Sequence, residues 1–332
     1  MNRFFSLRQA TALLAVAVAA VAPGGASAAA ADADTSPTRI IIGFAPGGAL
    51  DVLARSMADK LRVSLGGIVL VENKTGASTR LAVEAVKRAP PDGKTILISP
   101  APPFVLFPMT YSRLAYDPDK DLVPVAHLAD VPLVASSSVN QPFKTMPEYI
   151  AWVKSHPESA GFGMATLGGT VHFGVLTMSK AMNLPLTPTA YRGASMMITD
   201  VIGGTLPIGI DAIASQVGLQ KSGKIRFLGI TGTKRSALLP DVPTLKESGI
   251  SGFDMASGWY SAFVPAGTPA ATVARLEKAL IEAVKDPALQ SKMAAAGMEL
   301  TGLPGAEAAK IIQVQRAQWK PIVEASGFTA ND

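Results

Sequence analysis

From Arg39 the chain reads RIIIGFAPGGALDVLARSMADKLRVSLGG. The run RIIIGF predicts a buried strand. ALDVLARSMADKLRVSLG then repeats apolar residues at helical spacing and stops on Gly66 and Gly67, which predicts a helix. IVLVEN predicts a second strand, STRLAVEAVKRA a second helix, PPDG a turn and KTILISP a third strand. This alternation predicts an α/β fold built on a parallel, doubly wound sheet.

From Leu122 the pattern changes and then repeats. LVPVAHLADVPLVASSS is extended and apolar, MPEYIAWVKSHP predicts a helix and AGFGMA a strand. GGTVHFGVLTMSKAMN is a glycine turn opening a helix, LTPTAY a strand, and GASMMITDVIGG a helix. LPIGIDAIAS and KIRFLGITG predict two further strands, and WYSAFVPAGTP is again extended. The remaining segments PAATVARLEKALIEAVKD, ALQSKMAAAG and GAEAAKIIQVQRAQWKPIVEASG predict amphipathic helices. Two α/β units joined by extended apolar segments suggest two lobes that close around a ligand. The same organisation also fits a two-domain enzyme.

The 332 residues, 48% of them hydrophobic, suffice for such a core, and 17% charged residues do not suggest disorder. The absence of cysteine excludes disulfides, thiolate metal sites and a cysteine nucleophile, and three histidines make a histidine-rich metal site unexpected. No cofactor and no metal are expected. The first 28 residues have the layout of an export signal. Arg3 and Arg8 precede the apolar TALLAVAVAAVA, which is too short to span a bilayer, and Ala26 to Ala28 offer a small-residue cleavage site. Residues 29–38 then form a flexible leader, and the mature protein is expected in the periplasm. Cleavage removes two arginines and no acids, so the formal charge falls from +5 to +3. That mild excess, without a basic run, does not suggest nucleic-acid binding but suits a small anion.

Three strand-to-helix turns are rich in glycine and hydroxyl residues. The first holds Ala45, Gly47, Gly48 and Asp51; leading helical N–H groups there have no intrahelical partner and favour an anion. A tight turn with an acidic cap would read the same. The second, Asn73 to Arg80, offers Gly76, Ala77 and Ser78, and Arg80 suits a bidentate grip on a carboxylate. Taken alone, the loop reads more readily as ordinary helix capping with a solvated arginine. The third offers Thr166, Gly168, Thr170 and His172, although a neutral histidine in a first turn often only packs. Tyr191, Arg192 and Gly193 follow a predicted strand, and Asp211 ends another. A buried carboxylate needs partners, which a ligand or the backbone supplies. No Gly-x-Ser-x-Gly elbow precedes a helix, and neither Gly-x-Gly-x-x-Gly nor a Walker loop occurs at the first turn. The grouping reads as a binder of a small anion, as open α/β sheets bind ligands at the strand ends.

Several of these segments resemble the substrate receptors of tripartite tricarboxylate transporters, the Bordetella uptake gene family. The similarity runs from RIIIGFAPGGALDVLARSMADKL through VENKTGA, APPDGKTILI, LAYDPDKDLVPVA, YRGASMMITDVIGG and GKIRFLGITGTKRSALLPDVPTLKESGISGF to FVPAGTP. It implies an extracytoplasmic solute-binding protein with a two-lobe, periplasmic-binding-protein-like fold of type II-like form. The ligand, a small carboxylate, would lie in the interlobe cleft and pass to membrane permease subunits. Residues 39–134 and 250–332 would form a discontinuous first lobe and 135–249 the second, in a monomer. The loops at Gly47-Gly48 and Gly76-Ala77 would hold one carboxylate. Thr166 to Thr170, Tyr191 to Gly193 and Asp211 would face it from the second lobe.

The chain departs from that family where the second loop, usually Gly-Ala-Gly-Gly-Asn, reads GASTR. Met164, Leu167, Pro102 and Phe104 are expected to make the opposite wall less polar. That favours an aromatic or apolar monocarboxylate, whereas an Arg80 clamp would favour a dicarboxylate. Two other functions remain open. A ligand sensor feeding a two-component system would look the same, and a periplasmic hydrolase would use His172 as base with Asp211 orienting it.

Overall fold

The computed structural model describes residues 36–191 and 193–330. The expected signal peptide, most of the leader and Arg192 lie outside the described residues. In chain order come β1 (Thr38–Ile42), α1 (Ala49–Leu65), β2 (Val69–Asn73), α2 (Arg80–Lys87) and β3 (Thr95–Pro100). Two single-turn helices, α3 (Pro102–Val105) and α4 (Phe107–Thr110), lead to β4 (Leu122–Val131) and β5 (Leu133–Ser138). Next are α5 (Met146–Ser155), β6 (Gly161–Met164), α6 (Thr170–Met182), β7 (Thr187–Ala190) and α7 (Ala194–Gly203). β8 (Ile208–Ala212), α8 (Ile213–Lys221) and β9 (Ile225–Ile230) follow. The chain closes with β10 (Gly258–Pro265), α9 (Ala270–Val284), α10 (Pro287–Ala295), β11 (Glu299–Pro304) and α11 (Gly305–Ser326).

The strands form two sheets, one per lobe. The first has the order β11-β4-β10-β3-β1-β2 and the second β7-β6-β8-β5-β9. Both repeat one plan: three parallel strands, then an antiparallel strand that enters from the other lobe. β5 plays that part in the second sheet and β10 in the first. The expected parallel sheet holds for β2-β1-β3 and β7-β6-β8, and the antiparallel strands beside them are the correction to it. A strand that crosses between lobes arrives from the opposite end, so it can only pair antiparallel. Pro132 alone separates β4 from β5 at the first crossing, where a residue without an N–H interrupts the ladder.

Burial explains the strands. Ile40 and Ile42 pack into a core with Leu53, Met57 and Leu280, while Ile41 packs on the other face with Phe107, Phe263 and Trp319. A strand covered on both faces reads as the uninterrupted run seen in the sequence. α1 buries Leu50, Leu53, Ala54, Met57 and Leu61, the three- and four-residue spacing that predicted it. Sequence reading missed α8, because LPIGIDAIAS alternates like a strand; the strand ends at Ala212. Gln216 is wholly buried in α8 and donates to the Val134 and Asp211 carbonyls.

Candidate functional site

Parallel strands place their following loops together at their carboxyl ends, where open sheets bind ligands. Here the loops after β1, β2 and β3 meet those after β6, β7 and β8, and three adjoining cavities lie between them. Phe44 and Ala165 line all three. The first cavity is walled by Phe44, Pro100, Pro102, Val131, Leu133 and Trp259, so it is largely apolar. The first and second enclose about 600 and 650 Å³ of space between atoms, part of it open to solvent.

Three helices begin at these cavities. α1, α6 and α7 have Gly48, Gly169 and Gly193 as N-caps, and no side chain caps any of them. All three glycines line a cavity. Thr145 and Asp286 cap α5 and α10 by accepting from backbone N–H groups, while α2, α8, α9 and α11 also start without a side-chain cap. The first-turn N–H groups of the three cleft helices thus add positive partial charge to the cleft from both lobes. Gly193 has φ +134°, which an L side chain rarely adopts, so this cap must be glycine.

Asp211 is the penultimate residue of β8 and lines both the first and second cavities. Its Oδ1 accepts from the Ala212 N–H at 2.6 Å and the Ser215 hydroxyl at 3.3 Å. Burial raises its carboxyl to about 6, against the weaker pull of those two bonds. Tyr260, on β10, lines the same two cavities. Burial and the Asp211 charge push its phenol upward. Among the described residues, the three cavities are lined by no Lys, Arg or His.

The structure gathers most of the anticipated residues. Ala45, Gly48, Thr166, Thr170, Gly193 and Asp211 line the first two cavities, and Gly76, Ala77, Ser78 and Tyr191 line the third. The Tyr191 hydroxyl donates to Asp200 Oδ2 at 2.8 Å. Gly47, Asp51, Gly168, Arg80 and His172 line none of them. Asp51 is 4% exposed and accepts from Arg55, Asn73 and the Gly47 N–H. Burial opposes its charge, but these bonds outweigh it and hold the carboxyl below its ordinary range. It braces the first turn. Arg80 lies 4.0 Å over the Tyr111 ring and donates to the Ala77 carbonyl. His172 is buried against Phe173 and Phe328, and its Nδ1 accepts from the Gly168 N–H. Burial lowers it to about 4.

Of the expected apolar wall, only Pro102 lines a cavity. Met164 is fully buried in the second core, and Phe104 stacks on Phe263. Leu167 does not reach the cavities. Sequence reading missed Phe44, Ala165 and Tyr260 as lining residues. Phe44 sits inside the glycine turn already singled out, whereas nothing in the sequence tells which face of β10 Tyr260 takes.

The sequence pattern of receptors of the tripartite tricarboxylate transporter family matches residues 53–328. The chain belongs to this family. Three solved structures resemble the receptor closely. The periplasmic binding protein BugD is 30% identical, with a TM-score of 0.82 over 89% of this chain and 99% of that one. MatC of Rhodopseudomonas palustris, with bound malate, is 26% identical, with a TM-score of 0.80 over 86% of this chain and 98% of that one. Rpa4515 of R. palustris, with adipate, is 26% identical, with a TM-score of 0.84 over 90% of this chain and 99% of that one.

The family is one of receptors, not enzymes. No hydrogen bond joins His172 to Asp211; each has the separate partners given above. A Ser261–His127–Asp130 chain does exist, at 3.1 and 2.9 Å. Ser261 and His127 are each 1% exposed, however, and none of the three residues lines the cleft.

Proposed function

We propose that this chain is an exported receptor that captures a small carboxylate between residues 39–134 plus 250–332 and residues 135–249. It then presents the ligand to membrane permease subunits of a tripartite tricarboxylate-type transporter. The observation that carries this reading is the convergence of three glycine-capped helix N-termini, from both lobes, on one cleft. Backbone N–H groups at such ends bind carboxylates without a cationic side chain. The malate and adipate held by two relatives support the ligand class, and the apolar first cavity adds room for a hydrocarbon body. The amino-terminal signal layout supports export.

Calorimetric titration of the mature chain with malate, adipate and benzoate tests this, with Gly48→Val as the site variant. A Cβ at Gly48 meets nothing nearer than the Ala45 carbonyl oxygen at 3.9 Å, so no packing opposes a side chain at that atom. At least one acid is expected to bind, and the substitution to weaken it by more than tenfold. Unchanged affinity in a folded variant would remove the carboxylate from the α1 N-terminus.

A further inference from the structure

The second cavity is lined by the beginnings of α1 and α7, Gly48 to Leu50 and Gly193 to Met196, and also by Asp211. An anion drawn to those N-termini therefore enters a cavity that already holds a carboxyl group. The Asp211 bonds given above occupy Oδ1, from Ala212 and Ser215. Among the described residues, which do not include Arg192, the polar side chains lining this cavity beside it are Ser195 of α7, Ser215 of α8 and Tyr260 of β10, and none carries positive charge. Gln216, also of α8, uses its amide on the Val134 and Asp211 carbonyls. No Lys, Arg or His is among the described lining residues to balance a second negative charge.

From this juxtaposition, and resting on the carboxylate reading above, we infer that the receptor takes its ligand together with one proton, which Asp211 carries in the closed cleft. Two carboxylates brought together in one cavity ionise together only at a cost, because their mutual repulsion adds to the desolvation of each as the cleft closes. A protonated Asp211 turns from a repelling acceptor into a hydrogen-bond donor toward the ligand. The proton comes from solvent and returns there on release, so no co-reactant is needed. Burial already brings the empty-cleft carboxyl to about 6, so a nearby anion carries it through neutrality. Asp211 thereby sets selectivity for acids that can share a proton. It also ties affinity to periplasmic pH.

The test is titration calorimetry of the wild-type chain at pH 7.5, in buffers of different ionisation enthalpy. The probe is whichever of malate, adipate or benzoate binds; all three are ionised at that pH. Uptake of close to one proton per ligand is expected. Affinity should fall about tenfold for each unit between pH 6.5 and 8.5, the slope for one linked proton. Asp211→Asn, which donates without titrating, should flatten that dependence and bind more tightly than wild type at pH 8.5. Binding without proton uptake overturns the inference. So does a folded Asp211→Asn that loses binding, because the charged carboxylate would then be the required form, as for a ligand cation. Failure of all three acids to bind strikes the receptor reading instead, so the two failures are distinguishable.

Discussion

Three consecutive residues without a glycine, Ala77, Ser78 and Thr79, hold φ values of 45°, 53° and 77°. An L residue in this left-handed region costs roughly 1–2 kcal/mol. Ser78 lines the third cavity and is only partly buried, so replacing it disturbs little packing. Ser78→Gly is therefore expected to stabilise the fold by about 0.5–1 kcal/mol, after glycine's own entropic cost. Guanidinium denaturation reads this directly, and a lower midpoint would show that the hydroxyl contributes more than the strain costs. This loop also shows what one residue reveals before folding. Gly48 and Gly193 were legible as positions at the strand ends, because a glycine turn before an amphipathic helix marks where the loop opens, and both line the second cavity. Asp51, Arg80 and His172 were not, because their partners Asn73, Tyr111 and Phe328 lie 22, 31 and 156 residues away along the chain. A polar side chain near a turn suits a ligand or a neighbour equally well, and only the fold decides between them.

The exit of β1 and the turn before α2 are fitted to each other. A Cβ built on Gly43 would stand 2.5 Å from the Thr79 Cβ and 2.9 Å from its Cα, closer than real atoms approach. Gly43 is thus fixed by Thr79, not by its own backbone conformation. Gly43→Ala is expected to cost on the order of 1–3 kcal/mol, as overpacking does. Adding Thr79→Gly should recover more than half of that, since it removes the obstructing side chain and relieves a positive φ. A double-mutant cycle measures the coupling; additive losses would mean that the two segments separate freely. Strong periodicity made α1, α9 and α11 legible as elements. β11 escaped because it pairs only with β4 and is interrupted by a register shift between Leu300 and Leu303. β10 was read as extended, but its direction depends on which lobe the chain leaves, and no local pattern encodes that.

At the scale of the whole molecule, the lobes meet again away from the cleft. α6, which follows the second-sheet strand β6, rests on the C-terminal segment of the first lobe. His172 there lies 4.5 Å from the Phe328 ring centroid, and Phe173 packs near Trp319 and Phe328. His172 is 3% exposed, and burial lowers it to about 4 from an ordinary 6.5. Between these two values the unfolded chain binds a proton that the folded chain refuses. His172 therefore contributes stability that is complete above pH 6.5 and is lost as the pH falls towards 4. Asp211 acts in the opposite sense. Its carboxyl is raised from 3.8 to about 6, so the folded chain holds a proton that the unfolded chain has released, and stability grows as the pH falls through that window. Between about pH 6 and 4 these two effects oppose each other, so each is partly hidden in the wild type. Single variants separate them. Measured against wild type, His172→Gln should gain about 2 kcal/mol of stability between pH 7 and 4.5. Asp211→Asn should lose stability over the same range. Parallel denaturant titrations at the two pH values check both signs. If His172→Gln tracks wild type at both, the lobes part readily enough at this contact for water to reach the imidazole.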